Sequence, residues 1–313
     1  METIIWSKAG EKLLQQENID AIISSSSPVT GHIIAKELKA RYRTPWVADL
    51  RDLWSQNHNY SYSTLRRALD RRLELKTLSK ADALVTVSQP WAEKLEALHK
   101  GKPIYSVTHG FDPAEVNNPP AKLMNKFAIT YTGTIYSWQD PSKIMLALKD
   151  LILGGIINPV EVEIRFYGGK CNWLDREIEQ CGLSSTAKQY GMVPKQMALE
   201  RQRESQLLLV LKWEEPKERG TYTSKIFEYL GAGRPILATG GSEDIVNRLL
   251  NETKAGTCAS TVEDIKRNLA EMYGEYKLKG EVTYRGDKAE INKYSHREMA
   301  RKYAEILDRL PRE

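Results

Sequence analysis

Residues 220–239, GTYTSKIFEYLGAGRPILAT, place a hydroxyl, a cation and a carboxylate on one predicted helical turn. Ser224 and Lys225 fall at the start of that helix, where backbone N–H groups have no helical partners. A hydroxyl, an ammonium group and such donors can converge on one diphosphate. Glu228, one turn further, can accept two hydrogen bonds from a ribose diol. The alternative is a solvated Lys/Glu pair without a ligand, and these residues alone favour neither interpretation.

Three further segments carry small or hydroxyl residues where a strand is predicted to end. They are SSSSP at 24–28, YTGT at 131–134 and YGG at 167–169. Small residues let a ligand approach the backbone, and N–H groups at a helix start attract anions. Ordinary βα turns need glycine as well, so each segment alone is more often structural. The chain has neither a GxGxxG motif after its first strand nor a GxxxxGK[ST] motif, so the usual dinucleotide and P-loop signals are missing.

Short apolar runs alternate with amphipathic segments along most of the chain. The runs lie at 21–26, 45–50, 83–88, 103–108, 127–134, 162–169, 207–213 and 235–240. Strands separated by helices of about ten residues or more indicate βαβ units and a parallel sheet. Residues 110–126, with three prolines, interrupt the alternation and indicate a linker. The simplest interpretation is two α/β halves, followed by a terminal helix over 292–310.

The composition is that of a globular protein, with 41% hydrophobic and 28% charged residues. At 313 residues the chain exceeds what one hydrophobic core usually serves, so two domains are expected rather than one. It has no run of about 18 apolar residues, and its first residues lack the basic-then-apolar order of a signal peptide. These features predict a cytoplasmic protein.

Cysteine, histidine and net charge narrow the chemistry only in part. The three cysteines lack metal-ligand spacing and the five histidines form no HExxH motif, so a zinc site has little support. The net charge of +5 is compatible with nucleic acid, an anionic membrane surface or phosphate-bearing ligands. Charge alone does not choose among these three.

Residues 65–80, LRRALDRRLELKTLSK, combine leucines at i, i+4 and i+8 with a run of cations. The four arginines of this segment are Arg66, Arg67, Arg71 and Arg72. In one interpretation they face a membrane, meet anionic headgroups and make the protein peripheral on the inner face of the plasma membrane. In the other, they form the solvated face of a packed helix. The sequence leaves both interpretations open.

Six segments resemble family 4 retaining glycosyltransferases, GT-B-fold enzymes that use nucleotide sugars. In chain order they are PWVADLRDLW (45–54), KADALVTVSQPWAEKL (80–95), VTHGFDP (107–113), YTGTIYSWQDP (131–141), YGMVP (190–194) and SKIFEYLGAGRPILATGG (224–241). They look most like the bacterial cell-surface polysaccharide branch of that family. Six ordered segments are more specific than any one of them.

The resemblance implies an α/β protein of the GT-B type, with two Rossmann-like domains built on parallel sheets. We expect a partial N-terminal, acceptor-side domain over 1–112 and a linker over 113–126. A nucleotide-sugar-binding domain follows over 127–290, and a helix over 291–313 packs back toward the first domain. Full-length relatives carry a longer region before the segment that begins at residue 19, so the first domain is expected to be incomplete.

The resemblance also assigns roles to residues of the second domain. The expected donor-binding residues are Gly133, Thr134, Lys170, Met192, Val193, Ser224, Lys225 and Glu228. Ser224 and Lys225 would bind diphosphate oxygens, and Glu228 would bind the ribose. The turn at Gly133 would approach the diphosphate, and the backbone around Val193 would read the edge of the base.

On the first-domain side, the resemblance implies that Asp49, Arg51 and Asp52 face the cleft as catalytic residues. A structural Asp/Arg ion pair is the alternative, since charges at a buried strand end must be paired. Cationic groups and N–H donors would stabilise the departing nucleotide diphosphate without a metal or another cofactor. Front-face attack would then retain configuration without an enzymic nucleophile. Eight positions before Glu228, where many relatives have a sugar-binding glutamate, this chain has Gly220.

The leading hypothesis is a retaining hexosyl-type glycosyltransferase of surface polysaccharide biosynthesis. It would move a sugar from a UDP-, GDP- or dTDP-linked donor to a glycan or lipid-linked acceptor, and no nucleic-acid partner is expected. The alternative is a non-catalytic or truncated nucleotide-sugar-binding subunit or fragment, and a GT-B-like epimerase is more remote. An incomplete first sheet would expose an unpaired edge and apolar surface, so self-association or a missing N-terminal partner is also expected.

Overall fold

A computed structural model describes residues 2–116, 122–136, 138–213, 220–241 and 243–311. The chain divides into two compact units. Unit 1 comprises residues 1–109 and 297–313, and unit 2 comprises residues 110–296. The domain boundaries expected from the sequence, after residues 112 and 290, lie near these two divisions.

Unit 1 is built on four parallel strands in the order β1-β2-β3-β4. Its elements up to residue 109 are α1 (Glu2–Gln16), β1 (Ile22–Ser26), α2 (Thr30–Tyr42), β2 (Trp46–Leu50), α3 (Thr64–Leu78), β3 (Ala83–Thr86), α4 (Gln89–Leu98) and β4 (Ile104–Ser106). β2 is buried along its whole length, as expected of a central parallel strand covered on both faces. Its consecutive residues Trp46 and Val47 point to opposite faces of the sheet and join the cores on those faces.

Unit 2 is built on six parallel strands in the order β10-β9-β8-β5-β6-β7. Its elements are α5 (Pro113–Val116), β5 (Phe127–Thr132), α6 (Ser142–Leu153), β6 (Val162–Tyr167), α7 (Asn172–Gln180), β7 (Ala187–Gly191), α8 (Lys195–Arg203), β8 (Leu207–Leu211), α9 (Lys225–Ala232), β9 (Ile236–Thr239), α10 (Ile245–Thr253), β10 (Gly256–Ala259), α11 (Val262–Lys279) and α12 (Lys288–Asn292). Apolar cores lie on both faces of this sheet. From β5 the chain proceeds to β6 and β7 on one side, then crosses to β8, β9 and β10 on the other.

The last helix, α13 (His296–Asp308), belongs almost entirely to unit 1. Ile306 of α13 and Leu310 beyond it are buried in one core with Val47, Val85 and Val107. The helices α2, α3 and α4 contribute to the core on the other face of the same sheet. Unit 1 therefore closes its second face with residues that follow unit 2 in the chain.

The predicted fold class, α/β with two sheets of parallel strands, is confirmed. Local sequence explains where several helices begin. Ser63 accepts a hydrogen bond from the Arg66 amide at the start of α3, and Asp244 and Asn247 form a capping box at the start of α10. Among the described residues, no helix is both long enough and apolar enough to span a membrane.

Candidate functional site

The central residues of the expected donor site lie on unit 2 at the carboxyl ends of its middle strands. β5 ends at Thr132 and is followed by Gly133, and the connection from β8 leads to α9, which begins at Lys225. The direction of strand addition reverses between β5 and β8. Such a reversal leaves a crevice beyond the carboxyl ends of the strands, where open α/β sheets bind their ligands.

Lys225 reaches from α9 onto the end of β5. Its Nζ donates a hydrogen bond to the Tyr131 hydroxyl and lies 4.1 Å from the centre of that ring, as in a cation–π contact. A Cβ atom added to Gly133 would lie 3.3 Å from Lys225 Cε and 3.6 Å from its Nζ. Glycine at 133, where φ is 106°, therefore lets the lysine lie against the turn. Two of the expected phosphate-binding segments meet here.

The Lys225 ammonium group has lost much of its hydration. Burial lowers the pKa of Lys225 to about 8, and the nearby Glu228 carboxylate opposes this shift. At neutral pH the ammonium form still predominates. A diphosphate would add counter-charge to this partly buried cation.

The turn after β5 is packed against the end of β6, which limits the backbone donors it can offer. The Gly133 amide donates to the Tyr167 carbonyl at 2.7 Å, so it is already engaged. A Cβ atom at Gly168 would lie only 2.2 Å from the Gly133 carbonyl oxygen, which explains glycine at that position. Thr134 is exposed at the same turn, and its carbonyl accepts a hydrogen bond from the Tyr131 hydroxyl at 2.9 Å.

Glu228 is half-buried on α9 and lies beside Gln202 of α8. Gln202 is fully buried; its Nε2 donates to Thr132 Oγ1 at 2.9 Å and to Glu228 Oε2 at 3.4 Å. The Gln202 Oε1 atom is buried and has no hydrogen-bond partner within the described part of the chain. Gln202 thus orients the Glu228 carboxylate and presents one unused acceptor beside it.

A small pocket lies next to Glu228. Its lining includes Asp112, Glu115 and Arg203 in addition to Gln202 and Glu228. Several carboxylate and amide oxygens beside one guanidinium group suit a ligand rich in hydroxyl groups. A ribose, which Glu228 is expected to bind, is such a ligand.

The remaining expected donor residues lie around the same sheet edge. Ser224 is exposed at the N-cap position of α9, and its side chain makes no capping hydrogen bond. Met192 is 85% exposed just after β7, and Val193 is half-buried. Lys170 is exposed, and a Cβ atom at Gly191 would lie 3.5 Å from its Cε. Lys170 therefore contacts the end of β7, two strands away from the contact between Lys225 and Gly133.

Asp49 and Arg51 form an ion pair inside unit 1. Arg51 Nε donates to Asp49 Oδ2 at 2.9 Å, and Ser25 Oγ donates to the same oxygen at 3.1 Å. The other guanidinium nitrogens of Arg51 donate to the Val107 carbonyl at 3.0 Å and the Tyr303 hydroxyl at 2.7 Å. These contacts join four segments of unit 1 and favour the structural alternative for this pair. A catalytic role for either residue stays a prediction.

Asp52 differs from its two neighbours because its side chain is exposed. Partial desolvation raises the pKa of the Asp52 carboxyl, while nearby His58 lowers it. A carboxyl group with these properties can accept a proton more readily than an ordinary aspartate. Of the three expected catalytic residues, Asp52 is the one that a ligand can reach directly.

The basic segment on α3 forms a partly apolar, partly cationic surface. Leu65, Leu69 and Leu73 are 71%, 58% and 40% exposed. Arg66 pairs with Asp70 at 3.0 Å and lies over the Tyr62 ring, 5.2 Å from its centre. The other three arginines of the segment, Arg67, Arg71 and Arg72, are also exposed.

Two contributors to the site were not expected as individual residues. Tyr131 lies in the quoted YTGT segment, and an aromatic residue two positions before the turn glycine is a usable signal for a cation contact. Gln202 lies in a polar helical stretch, and the pattern of polar and apolar residues around it does not predict that its side chain is fully buried. The described residues contain no group of three or more His, Cys, Asp or Glu side chains arranged to hold a metal ion. Independence from metal stays a prediction.

Comparison with known proteins supports this description of the fold. Residues 5–104, all within unit 1, match the family described as Glycosyl transferase 4-like domain. HepE from Anabaena, solved with UDP and glucose, superposes with a TM-score of 0.72 at 13% identity, covering 96% of this chain and 80% of HepE. A glycosyltransferase from Rickettsia africae gives a TM-score of 0.69 at 15% identity, covering 96% of this chain and 79% of that one.

A third similar structure is the pneumococcal O-GlcNAc transferase GtfA, solved with UDP and GlcNAc. It gives a TM-score of 0.61 at 12% identity, covering 96% of this chain and 59% of GtfA. None of the curated protein sequences compared with the chain matches it. The chain therefore has the fold of GT-B glycosyltransferases, and the resemblance to family 4 is supported over residues 5–104.

Proposed function

We propose that this protein is a retaining glycosyltransferase that uses a nucleotide-sugar donor. One observation carries the proposal: the desolvated cation of Lys225 lies against the Gly133 turn, with Glu228 one helical turn further along α9. This arrangement offers a charge for a diphosphate and a carboxylate for a ribose diol. It lies where an open α/β sheet binds its ligand.

The residues of unit 2 supply binding and leaving-group stabilisation in this proposal. Lys225 neutralises charge that develops on the diphosphate as the bond between the sugar C1 and the phosphate oxygen breaks. The acceptor oxygen forms its bond to C1 on the same face, and its proton passes to the leaving phosphate. Glu228, oriented by Gln202, holds the nucleoside in place throughout.

The donor is a UDP-, GDP- or dTDP-linked hexose. Among these three, UDP is favoured because HepE and GtfA were each solved with UDP. The acceptor is a glycan or a lipid-linked glycan in surface polysaccharide biosynthesis. This part of the proposal rests on the resemblance of the six sequence segments to that branch of family 4.

Calorimetry with UDP and with UDP-, GDP- and dTDP-sugars tests the donor site. We expect Lys225→Ala and Glu228→Ala each to weaken binding of the preferred nucleotide by roughly 30-fold or more, because each removes a charge-assisted contact. Gln202→Leu should weaken it less, because it removes an orienting group. Glu271→Ala, an exposed carboxylate on α11, is the matched control and should bind as the wild type does. Unchanged affinity in both site variants would refute the assignment.

A nucleotide-sugar-binding subunit without catalytic activity is the second candidate. Gly220 stands where many relatives have a sugar-binding glutamate, and Arg51 is engaged within unit 1. Donor hydrolysis, measured with and without acceptor lipid, and sugar transfer to acceptor lipid separate the candidates. Binding without turnover in either assay would favour the subunit, whereas transfer with retained anomeric configuration would favour the enzyme.

We further propose that α3 attaches the protein to an anionic membrane surface. The exposed leucines of α3 provide apolar contact, and its arginines provide attraction to acidic headgroups. Sedimentation with phosphatidylglycerol vesicles should show binding that weakens as salt is raised. The combined change of Arg66, Arg67, Arg71 and Arg72 to glutamine should abolish it. Binding that is unaltered by these changes would remove the proposal.

A further inference from the structure

A second pocket, separate from the donor site, opens in unit 1. It has a volume of about 510 Å³ and lies between the segment after β2 and the helices α3 and α4. Its polar lining consists of Ser55, Gln56, Arg67, Arg71 and Lys94, and its apolar wall consists of Ala68, Ala97 and Leu98. None of these described residues is acidic.

Two of the cations in this pocket lack a counter-ion. Arg67 and Arg71 lie one turn apart on α3, are exposed, and form no ion pair or side-chain hydrogen bond with any residue that the structure describes. Arg66 on the same helix is paired with Asp70 and does not line the pocket. Lys94 contributes a third cation from α4. Positive charge from two helices thus converges on one cavity.

A buried carboxylate on the same helix is hydrogen-bonded to a residue that lines the pocket. Glu74 of α3 is fully buried and accepts a hydrogen bond from the Ser55 amide at 2.9 Å, and another from the Ser55 hydroxyl. The His99 imidazole lies 3.2 Å from its second oxygen. Glu74 therefore has partners of its own, and it forms no described ion pair with Arg67 or Arg71.

Gln56 adds an acceptor to the same cavity. Its Nε2 donates to the Lys94 carbonyl at 3.2 Å, which fixes the orientation of the amide. Its Oε1 is buried and has no hydrogen-bond partner among the described residues. Reorientation of the side chain would let this oxygen accept a hydrogen bond from a hydroxyl group on a bound ligand.

We infer that this pocket binds the phosphate or diphosphate group of the acceptor. Planar guanidinium groups one turn apart match the oxygens of a phosphate in paired hydrogen bonds, and the Lys94 ammonium adds a point charge. Assignment of this phosphate to an acceptor rests on the proposed transferase function, whereas phosphate binding in unit 1 does not. The phosphate can belong to a lipid headgroup, since the exposed leucines of α3 adjoin the arginines, or to a water-soluble sugar phosphate.

The test compares two pairs of substitutions on one helix. Arg67→Gln with Arg71→Gln removes two charges from the pocket, and Arg66→Gln with Arg72→Gln removes two charges outside it. The probe is inorganic pyrophosphate, titrated into the full chain in the presence of saturating UDP, which occupies the proposed donor site, and followed by calorimetry. We expect the pocket pair to weaken pyrophosphate binding by roughly tenfold or more and the outside pair by less than about threefold.

Further measurements distinguish the two sources of the phosphate and control for effects on the donor site and on folding. Geranyl diphosphate binding more tightly than pyrophosphate would support a lipid-borne group, and equal affinities would support a soluble one. UDP affinity, measured on the same proteins, reports the donor site separately and should be unchanged by either pair. Equal loss of pyrophosphate binding in both pairs, or no loss in the pocket pair, would overturn the inference. Circular dichroism verifies that both pairs remain folded.

Discussion

The Lys225 side chain is partly buried, and it lies against a turn where residue 133 is a glycine. Its ammonium group contacts the Tyr131 hydroxyl and lies 3.6 Å from where a side chain at residue 133 would begin. A cation without full hydration gains more from an arriving anion than a solvated lysine does, because little water must be displaced from it. The same burial makes its charge sensitive to pH near neutrality.

Nucleotide affinity should therefore fall on the alkaline side of neutrality. Burial lowers the pKa of Lys225 to about 8, so the cationic form that attracts a diphosphate is lost as the pH rises through that value. Relative to its value at pH 7, we expect UDP affinity to weaken by up to about tenfold per pH unit above about 8. Calorimetry across this range measures it.

Lys225→Arg provides the control for this pH dependence. A guanidinium group does not titrate below about pH 12, so the variant should lose the alkaline fall even if its larger side chain binds UDP less tightly. Burial raises the pKa of Tyr131, the phenol in contact with the lysine, so that phenol does not titrate in this range. A flat profile in the wild type, or the same fall in Lys225→Arg, would rule out Lys225 as the titrating group.

At the residue scale, spacing along one helix was predictable and contacts between helices were not. Lys225 and Glu228 share a helical face because they are three positions apart, and this spacing can be read from the sequence. The hydrogen bond from Gln202 to Glu228 joins α8 and α9 and depends on how the two helices pack. The engagement of Arg51 with Val107 and Tyr303 likewise depends on tertiary structure.

At the scale of elements, α13 packs on the sheet of unit 1 although it follows unit 2 in the chain. Its residue Ile306 is 4% exposed and packs in the core that contains Val47 and Val85. Tyr303, one turn earlier, accepts the hydrogen bond from Arg51. The helix therefore contributes both apolar contact and a polar anchor to the sheet of unit 1.

Ile306→Ala should loosen unit 1 selectively. Removing a buried aliphatic side chain of this size costs about 2–5 kcal/mol of unfolding free energy, because it leaves a cavity. Hydrogen exchange followed by mass spectrometry should show faster exchange in peptides from β2 and β3 and unchanged exchange in peptides from β5 and β6. Leu278→Ala, at a side chain that is 86% exposed, should change neither set. Equal acceleration in both units would contradict this assignment.

Apolar runs predicted most central strands but not those at the edge of the second sheet. β5, β6 and β8 are buried along their whole lengths, so hydrophobicity alone marks them. β7, with the sequence AKQYG, and β10, with the sequence GTCA, are only partly buried and carry no continuous apolar run. An edge strand needs fewer apolar residues than a central one, so its signal in the sequence is weaker.

At the scale of the whole molecule, the edge of the first sheet is the expected site of self-association. β1 lies at one end of the order β1-β2-β3-β4, and among the described strands it pairs only with β2. Ile23 within it is 48% exposed. An unpaired edge beside apolar side chains is a template for another chain.

Ile23→Lys should therefore reduce association, because a charge on an edge strand opposes pairing with a second chain. Light scattering coupled to size-exclusion chromatography, over a range of concentrations, measures the mass in solution. Leu153→Lys, at a side chain of α6 that is 76% exposed, is the control and should leave association unchanged. A wild-type chain that is a single monomeric species at all concentrations would show the expectation to be wrong.

The division of unit 1 into two separate stretches of chain has a consequence for biosynthesis. Residues 1–109 leave the ribosome before unit 2, yet the side chains that complete their core, Ile306 and Leu310, emerge only after all of unit 2. Unit 2 is continuous and can fold as soon as it has been translated. During that interval one face of the first sheet, including Val47 and Val85, is without its helix, so its apolar side chains stay exposed until α13 packs on them.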